Sequence, residues 1–145
     1  MSNKLSEALA LVATIDPQTV NSTEVFTDVV DFGANVQVMA IANLGNMASE
    51  TIDFKFYSCD SDGTGAAAVT GKAATQLAAH ASNNDYKQMV INVRDTDLLA
   101  SGKQYGKFGL VTGATTGGMC AVDVIASPRQ GLASAGDLSS VVEII

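Results

Sequence analysis

Hydrophobic and polar residues alternate with a period of two along much of this chain. Over residues 50–58, Ile52, Phe54 and Phe56 fall on one side, while Thr51, Asp53, Lys55 and Tyr57 fall on the other. That spacing predicts a half-buried strand with one wet face. Over 87–94, Met89, Ile91 and Val93 alternate with Gln88, Val90, Asn92 and Arg94. Over 35–41, Val36, Val38 and Ala40 alternate with Gln37, Met39 and Ile41. This strand is apolar on most of both faces and is expected to be central or covered.

Other runs follow the same rhythm less cleanly. Residues 24–32 place Phe26, Val30 and Phe32 on one face, with Asp28 intruding. Residues 105–112 offer Phe108 and Leu110, and 119–126 offer Cys120, Val122 and Val124. Residues 8–15 form a further strand candidate. The alanines of 69–79 favour helix, but Gly71 and the threonines oppose it, and an irregular strand is the preferred reading. Residues 95–100 could form one helical turn between two strands.

Turn chemistry separates the runs, as in Gly33-Ala34-Asn35, Asp60-Ser61-Asp62-Gly63 and Thr116-Gly117-Gly118. About eight short strands, with no helix long enough for parallel crossovers, predict an all-β antiparallel β-sandwich of jelly-roll type. Pro17 and Pro128 are the two prolines. Proline cannot donate to a ladder, so each marks an edge or an exit. The expected organisation is an N-terminal arm or first strand over 1–16, a sandwich body over 17–128 and an extended C-terminal arm over 129–145.

The end of the chain changes the picture. Leu138, Val141, Val142, Ile144 and Ile145 fill most of the last eight positions. Chain ends are usually polar unless something holds them, so these residues, with Leu5, Leu9 and Leu11 of the first arm, are candidate partner-binding positions. Only 16% of residues are charged, against about 25% in an average soluble domain. Such a surface is easily desolvated against a neighbour. The net charge is −7 and the eight Lys and Arg are scattered. Nucleic acid, which needs clustered cations, and anionic membranes are therefore not expected as partners. No apolar run approaches the ~18 residues of a membrane-spanning helix. Glu7 and Asp16-Pro17 flank 8–15 unlike a signal peptide.

Candidate chemistry is sparse, and no catalytic residue, cofactor or metal is expected. The single histidine, His80, accompanies no nucleophile motif. One His and two distant cysteines do not meet the ligand needs of zinc. Cys59 and Cys120 read as two buried thiols, a bridge being possible only if their strands are adjacent or facing. Asp60-Ser61-Asp62-Gly63 begins like a calcium loop but lacks the later ligands, and an Asp-Gly hairpin turn is the better reading. The pairs Asp28/Asp31 and Asp95/Asp97 lack the ring-lined cleft of a glycosidase.

Three stretches nevertheless carry a resemblance: 4–17 (KLSEALALVATIDP), 87–94 (KQMVINVR) followed by Asp97-Leu98, and 137–145 (DLSSVVEII). Together they resemble a family of small tailed-phage structural proteins that act as head decoration or cement proteins beside the major capsid protein. The chain departs from that pattern over 105–110, where the family is richer in Tyr and Arg. The resemblance implies a β-sandwich made in the bacterial host cytoplasm and bound to the outer face of the virion head. Its implied partners are the major capsid protein and other copies of itself, a trimer being favoured and a dimer possible. The alternative reading is a tail, neck or fibre-base component, or a ligand-binding β-sandwich adhesion module.

Overall fold

The computed structural model describes residues 5–47, 51–77, 85–113 and 116–129. A four-residue helix, α1 (Leu5–Ala8), precedes β1 (Ala10–Val20). There follow β2 (Val25–Phe26), β3 (Val30–Asp31), β4 (Asn35–Leu44), β5 (Ile52–Cys59), β6 (Ala67–Ala73) and β7 (Gln88–Arg94). A 3-10 helix (Asp95–Ser101) leads into β8 (Tyr105–Thr112) and β9 (Gly118–Pro128).

The strands form two antiparallel sheets. Sheet A has the order β1-β9-β4-β7, and sheet B the order β2-β8-β5-β6, with β3 also on β8. Taking β2 and β3 as halves of one interrupted strand leaves eight strands. Their order is then first-eighth-third-sixth in one sheet and second-seventh-fourth-fifth in the other, which is the double-Greek-key pairing of a jelly roll. The expected fold class is the observed one.

Period-two alternation builds the core between the sheets. In β7 the outward and inward positions alternate without exception, Met89, Ile91 and Val93 being buried. In β5, Ile52, Phe54 and Phe56 are fully buried, as are Phe108 and Leu110 of β8. The Phe56 and Phe108 rings lie 4.9 Å apart, and Phe32 meets Phe56 edge-on at 5.5 Å, the offset geometries that aromatic quadrupoles favour. Gly106 makes room for this cluster: a Cβ there would stand 2.2 Å from Phe56 Cζ. The hydroxyl of Thr112 donates to the Val20 carbonyl and joins the two sheets at one end.

Several expectations change in detail. Phe26 does not share a face with Val30 and Phe32. The strand breaks after Phe26, Thr27 turns inward, and its Oγ1 accepts the Phe108 N–H at 3.1 Å, which shifts the parity and leaves Phe26 outside. Pro17 lies within β1, in the register shift between Ile15 and Gln18, so the strand runs across the expected 16/17 boundary. β1 is an edge strand, where a proline is tolerated. Part of 69–79 is strand β6, and Leu77 bridges to Ile52. Residues 95–101 form the expected short helix. Asp97 accepts the Arg94 N–H at 2.7 Å, and Gly102, with φ of 66°, ends it in the left-handed conformation suited to glycine.

Cys59 and Cys120 are free and buried. They belong to different sheets, with Cys59 paired to Tyr105 and Cys120 to Leu44 and Gln18. Burial pushes both thiols up, Cys120 to about 11.

Candidate functional site

The outer face of sheet A gathers apolar side chains that its strands do not need for the core. β4 turns Met39 and Ile41 outward, β7 turns Val90 outward, and β9 turns Ile125 outward. Register places them side by side. One row across the sheet runs Leu11, Ile125, Met39, Asn92; the next runs Thr14, Asp123, Ile41, Val90. Val90 is 50% exposed and Leu9 40%. A hollow of about 460 Å³ opens along the first row, lined by Leu9, Gln37, Met39, Asn92, Arg94 and Ile125 among others. Arg94 is the one charged residue of its lining.

A polar ladder borders this apolar area. Gln88 donates to Asn43 Oδ1 at 2.9 Å, and Asn43 donates to Asp123 Oδ2 at 3.1 Å. β9 also ends at the rim of the area. Arg129, just past β9, donates its N–H to the Ala34 carbonyl at 2.8 Å. Its guanidinium reaches Gly33 O at 3.0 Å and Asp95 Oδ2 at 2.8 Å.

The sequence-predicted positions divide three ways. Leu9 and Leu11 come together with Ile125 and Met39 on this face. Leu5 stands apart on α1, 77% exposed. Leu138, Val141, Val142, Ile144 and Ile145 lie outside the described residues, as does His80. Met39, Ile41, Val90 and Ile125 were not among the predicted partner-binding positions. The signal for two of them was present, since a strand apolar on both faces has a second face to cover.

The candidate chemical groups are engaged structurally. Asp31 accepts from Gly33 N at 2.7 Å and from Gln104 at 2.8 Å. Asp97 pairs with Lys72 at 2.9 Å. Burial tends to raise its pKa, but the Arg94 N–H and the Lys72 ammonium outweigh that and hold it below the usual carboxylate range. The Arg129 hydrogen bond lowers Asp95 likewise. Asp62 accepts from both the N–H and the hydroxyl of Thr64, which builds the β5–β6 turn and lowers its pKa. Asp60 pairs with Lys103. Among the described residues no group of three or more His, Cys, Asp or Glu could hold a metal, and no helix is long and apolar enough to cross a membrane.

The rings on the outside of sheet B are also partnered. Phe26 packs edge-on against Tyr57 at 5.5 Å, with the Lys107 ammonium 4.1 Å from the Phe26 centroid. Lys107 donates to Gly63 O at 2.9 Å, and Tyr57 to Glu24 at 2.7 Å. Burial, then this hydrogen bond, pushes Tyr57 up to about 12.

Strand order and face together define a jelly-roll sandwich with an apolar outer surface on sheet A. No family model matches the chain, and no curated protein matches it in sequence. Among solved structures it is similar to the SPBc2 prophage-derived protein YomS, at 12% identity and TM-score 0.49, over 82% of this chain and 93% of that one. It is also similar to a Bacillus endospore appendage subunit of the disulfide-linked pili, at 12% identity and TM-score 0.43, over 88% and 96%. A third likeness is to infectious bursal disease virus, Gx strain, at 12% identity and TM-score 0.40, over 83% and 31%. These are likenesses of fold.

Proposed function

We propose that this chain is a structural virion protein that binds the outer surface of a tailed-phage head and stabilises the lattice of the major capsid protein as a cement or decoration subunit. The observation that carries the reading is the apolar face of sheet A. Two arm residues expected to contact partners, Leu9 and Leu11, sit on it, and β9 ends at its rim. The sequence resemblance to cement proteins supplies the identity of the partner. The role is binding and not catalysis, which fits carboxylate pairs held in ion pairs and turns.

The energetics suit a lattice. Fully covering a large apolar side chain contributes about 1.5–3 kcal/mol, and roughly half that where it is already half-buried. One such patch gives a weak contact. Several weak contacts on a rigid shell reinforce one another through effective concentration, so the subunit adds its binding energy to the assembled state alone. A self-oligomer, a trimer before a dimer, would multiply the contacts further. An acidic surface suits the outside of the shell better than the side facing packaged DNA.

The test is binding of purified chain to undecorated heads of the parent phage. Saturable binding with increased resistance of the heads to heat supports the reading. Binding to tails and not heads, or to neither, overturns it.

A further inference from the structure

Among the described residues, three of the four sheet edges are interrupted. β1 carries Pro17 and two register shifts against β9. Sheet B ends beyond β8 in the two-residue strands β2 and β3. β6 has a register shift against β5, and its Gly71 has a φ of 77°. Such interruptions blunt an edge against pairing with another chain. The fourth edge, β7, is regular. It pairs with β4 without a register shift, and it contains no glycine or proline.

The direction of its backbone groups is fixed from both ends. Leu44 donates its N–H to the Lys87 carbonyl, so the odd-numbered residues of this stretch bond to β4 and the even-numbered ones face away from it. At the Arg94 end the outward groups are capped. The Lys72 ammonium donates to the Asn92 carbonyl at 2.9 Å, and the Arg94 N–H donates to Asp97 at 2.7 Å. Among the described residues, the backbone N–H and C=O of Gln88 and Val90 and the N–H of Asn92 have no hydrogen-bond partner. The side chains of these three residues are exposed.

We propose that two copies of the chain pair their β7 strands antiparallel about a two-fold axis at Val90, joining two four-stranded sheets into one of eight. The segment is its own complement in this register. Val90 stands opposite Val90 of the second copy, and Gln88 opposite Asn92, so apolar meets apolar and amide meets amide. The two Val90 residues exchange two hydrogen bonds across the axis, and each Asn92 N–H gains a Gln88 carbonyl. The outer row Asp123, Ile41, Val90 continues into the same row of the second copy, so the apolar face is extended and left open. No like charges meet at the axis. Lys72 is paired with Asp97, Asp123 lies two strands inside and accepts from Asn43, and Lys87 and Arg94 stand at the ends of the paired stretch. An isologous contact closes at two copies, so this edge makes a dimer and not a trimer. The proposal concerns the free chain and goes beyond any role on a head.

The experiment uses the full chain in solution. Sedimentation equilibrium is expected to show monomer passing to dimer as concentration rises. Val90→Pro deletes the outward N–H and spares the bonds to β4, a placement edge strands tolerate. It is expected to weaken dimerisation by about tenfold or more, since two hydrogen bonds are lost per dimer. Should that variant melt early, Val90→Lys sets two ammonium groups opposite each other and is expected to weaken it likewise. Single cysteines locate the axis. Opposed residues of a hydrogen-bonded pair have Cα atoms about 5.5 Å apart, within reach of a disulfide. Val90→Cys is therefore expected to form a covalent dimer under mild oxidation several times faster than Gln88→Cys or Asn92→Cys. Cys59 and Cys120 are 0% and 1% exposed and stay out of the exchange. A chain that remains monomeric at every concentration overturns the proposal. So does a dimer that both Val90→Pro and Val90→Lys leave as tight as wild type, or equal rates for the three cysteine variants.

Discussion

Arg129 Nη2 stands 2.8 Å from Asp95 Oδ2, joining the residue after the last strand to the start of the 3-10 helix. The same guanidinium holds the carbonyls of Gly33 and Phe32. One side chain thus ties the end of β9 to the β3–β4 turn and the 3-10 helix. Its hydrogen bond holds the Asp95 carboxyl below the ordinary carboxylate range. A lowered folded-state pKa contributes stability that is present above the unfolded value, about 3.9, and is lost as pH falls through the folded value. Asp95→Asn is therefore expected to lower the urea midpoint at neutral pH, with the gap to wild type closing below about pH 4. A gap that persists unchanged in acid would show that the ion pair is not its source.

Tyr57 gives the opposite sign. Its phenol is pushed up to about 12 by burial and by the bond to Glu24. Its contribution is complete below the unfolded value, about 10, and disappears as pH rises through the folded one. The phenolate absorbance of the folded chain should show this tyrosine ionising near 12. Tyr57→Phe should remove that late step.

Gly106 is a packing requirement. A methyl there meets Phe56 Cζ at 2.2 Å and Tyr57 O at 2.9 Å, and the ring is enclosed by Phe32 and Phe108. Gly106→Ala should destabilise the chain by about 1–3 kcal/mol, the usual range for overpacking. Chemical denaturation measures it.

The face of sheet A can be altered without touching the core. Val90 is half exposed on an edge strand, so Val90→Lys should change stability by less than about 0.5 kcal/mol. On the proposed function it should lower head occupancy at fixed concentration at least severalfold. Full occupancy by this variant would remove sheet A from the docking surface.

Deleting residues 137–145 should leave the melting transition of the body intact and reduce occupancy on heads. Burial of five apolar side chains contributes about 8–15 kcal/mol before ordering, and ordering the segment offsets much of it. The loss of occupancy is therefore expected to be partial. Truncated chain that decorates heads as fully as intact chain would rule out a clamp role for the segment.

The sandwich was legible because its signal is local. In β5 and β7 each residue's face follows from its parity alone, and Phe54, Phe56, Met89 and Ile91 lie where alternation puts them. Parity failed at Phe26 because Thr27 satisfies the Phe108 N–H by turning inward, a pairing between distant segments that composition does not encode. The expected boundary at Pro17 was displaced because a bulge on an edge strand absorbs a proline without ending the strand. Leu9 and Leu11 were found as apolar residues in an opening segment. Their neighbours Met39 and Ile125 were not, since only register across β1, β9 and β4 brings the four together.

The closing partnership of sheet A joins β1 to β9, the earliest and latest strands among the described residues. The interface between them cannot form while β9 remains inside a ribosome. Pairing therefore waits until β9 has emerged, and contacts so distant in sequence place this domain among slowly folding topologies. Until then a nascent chain carries an unpaired β1 edge. The bulge and proline in that strand protect it from pairing with the wrong neighbour during the wait.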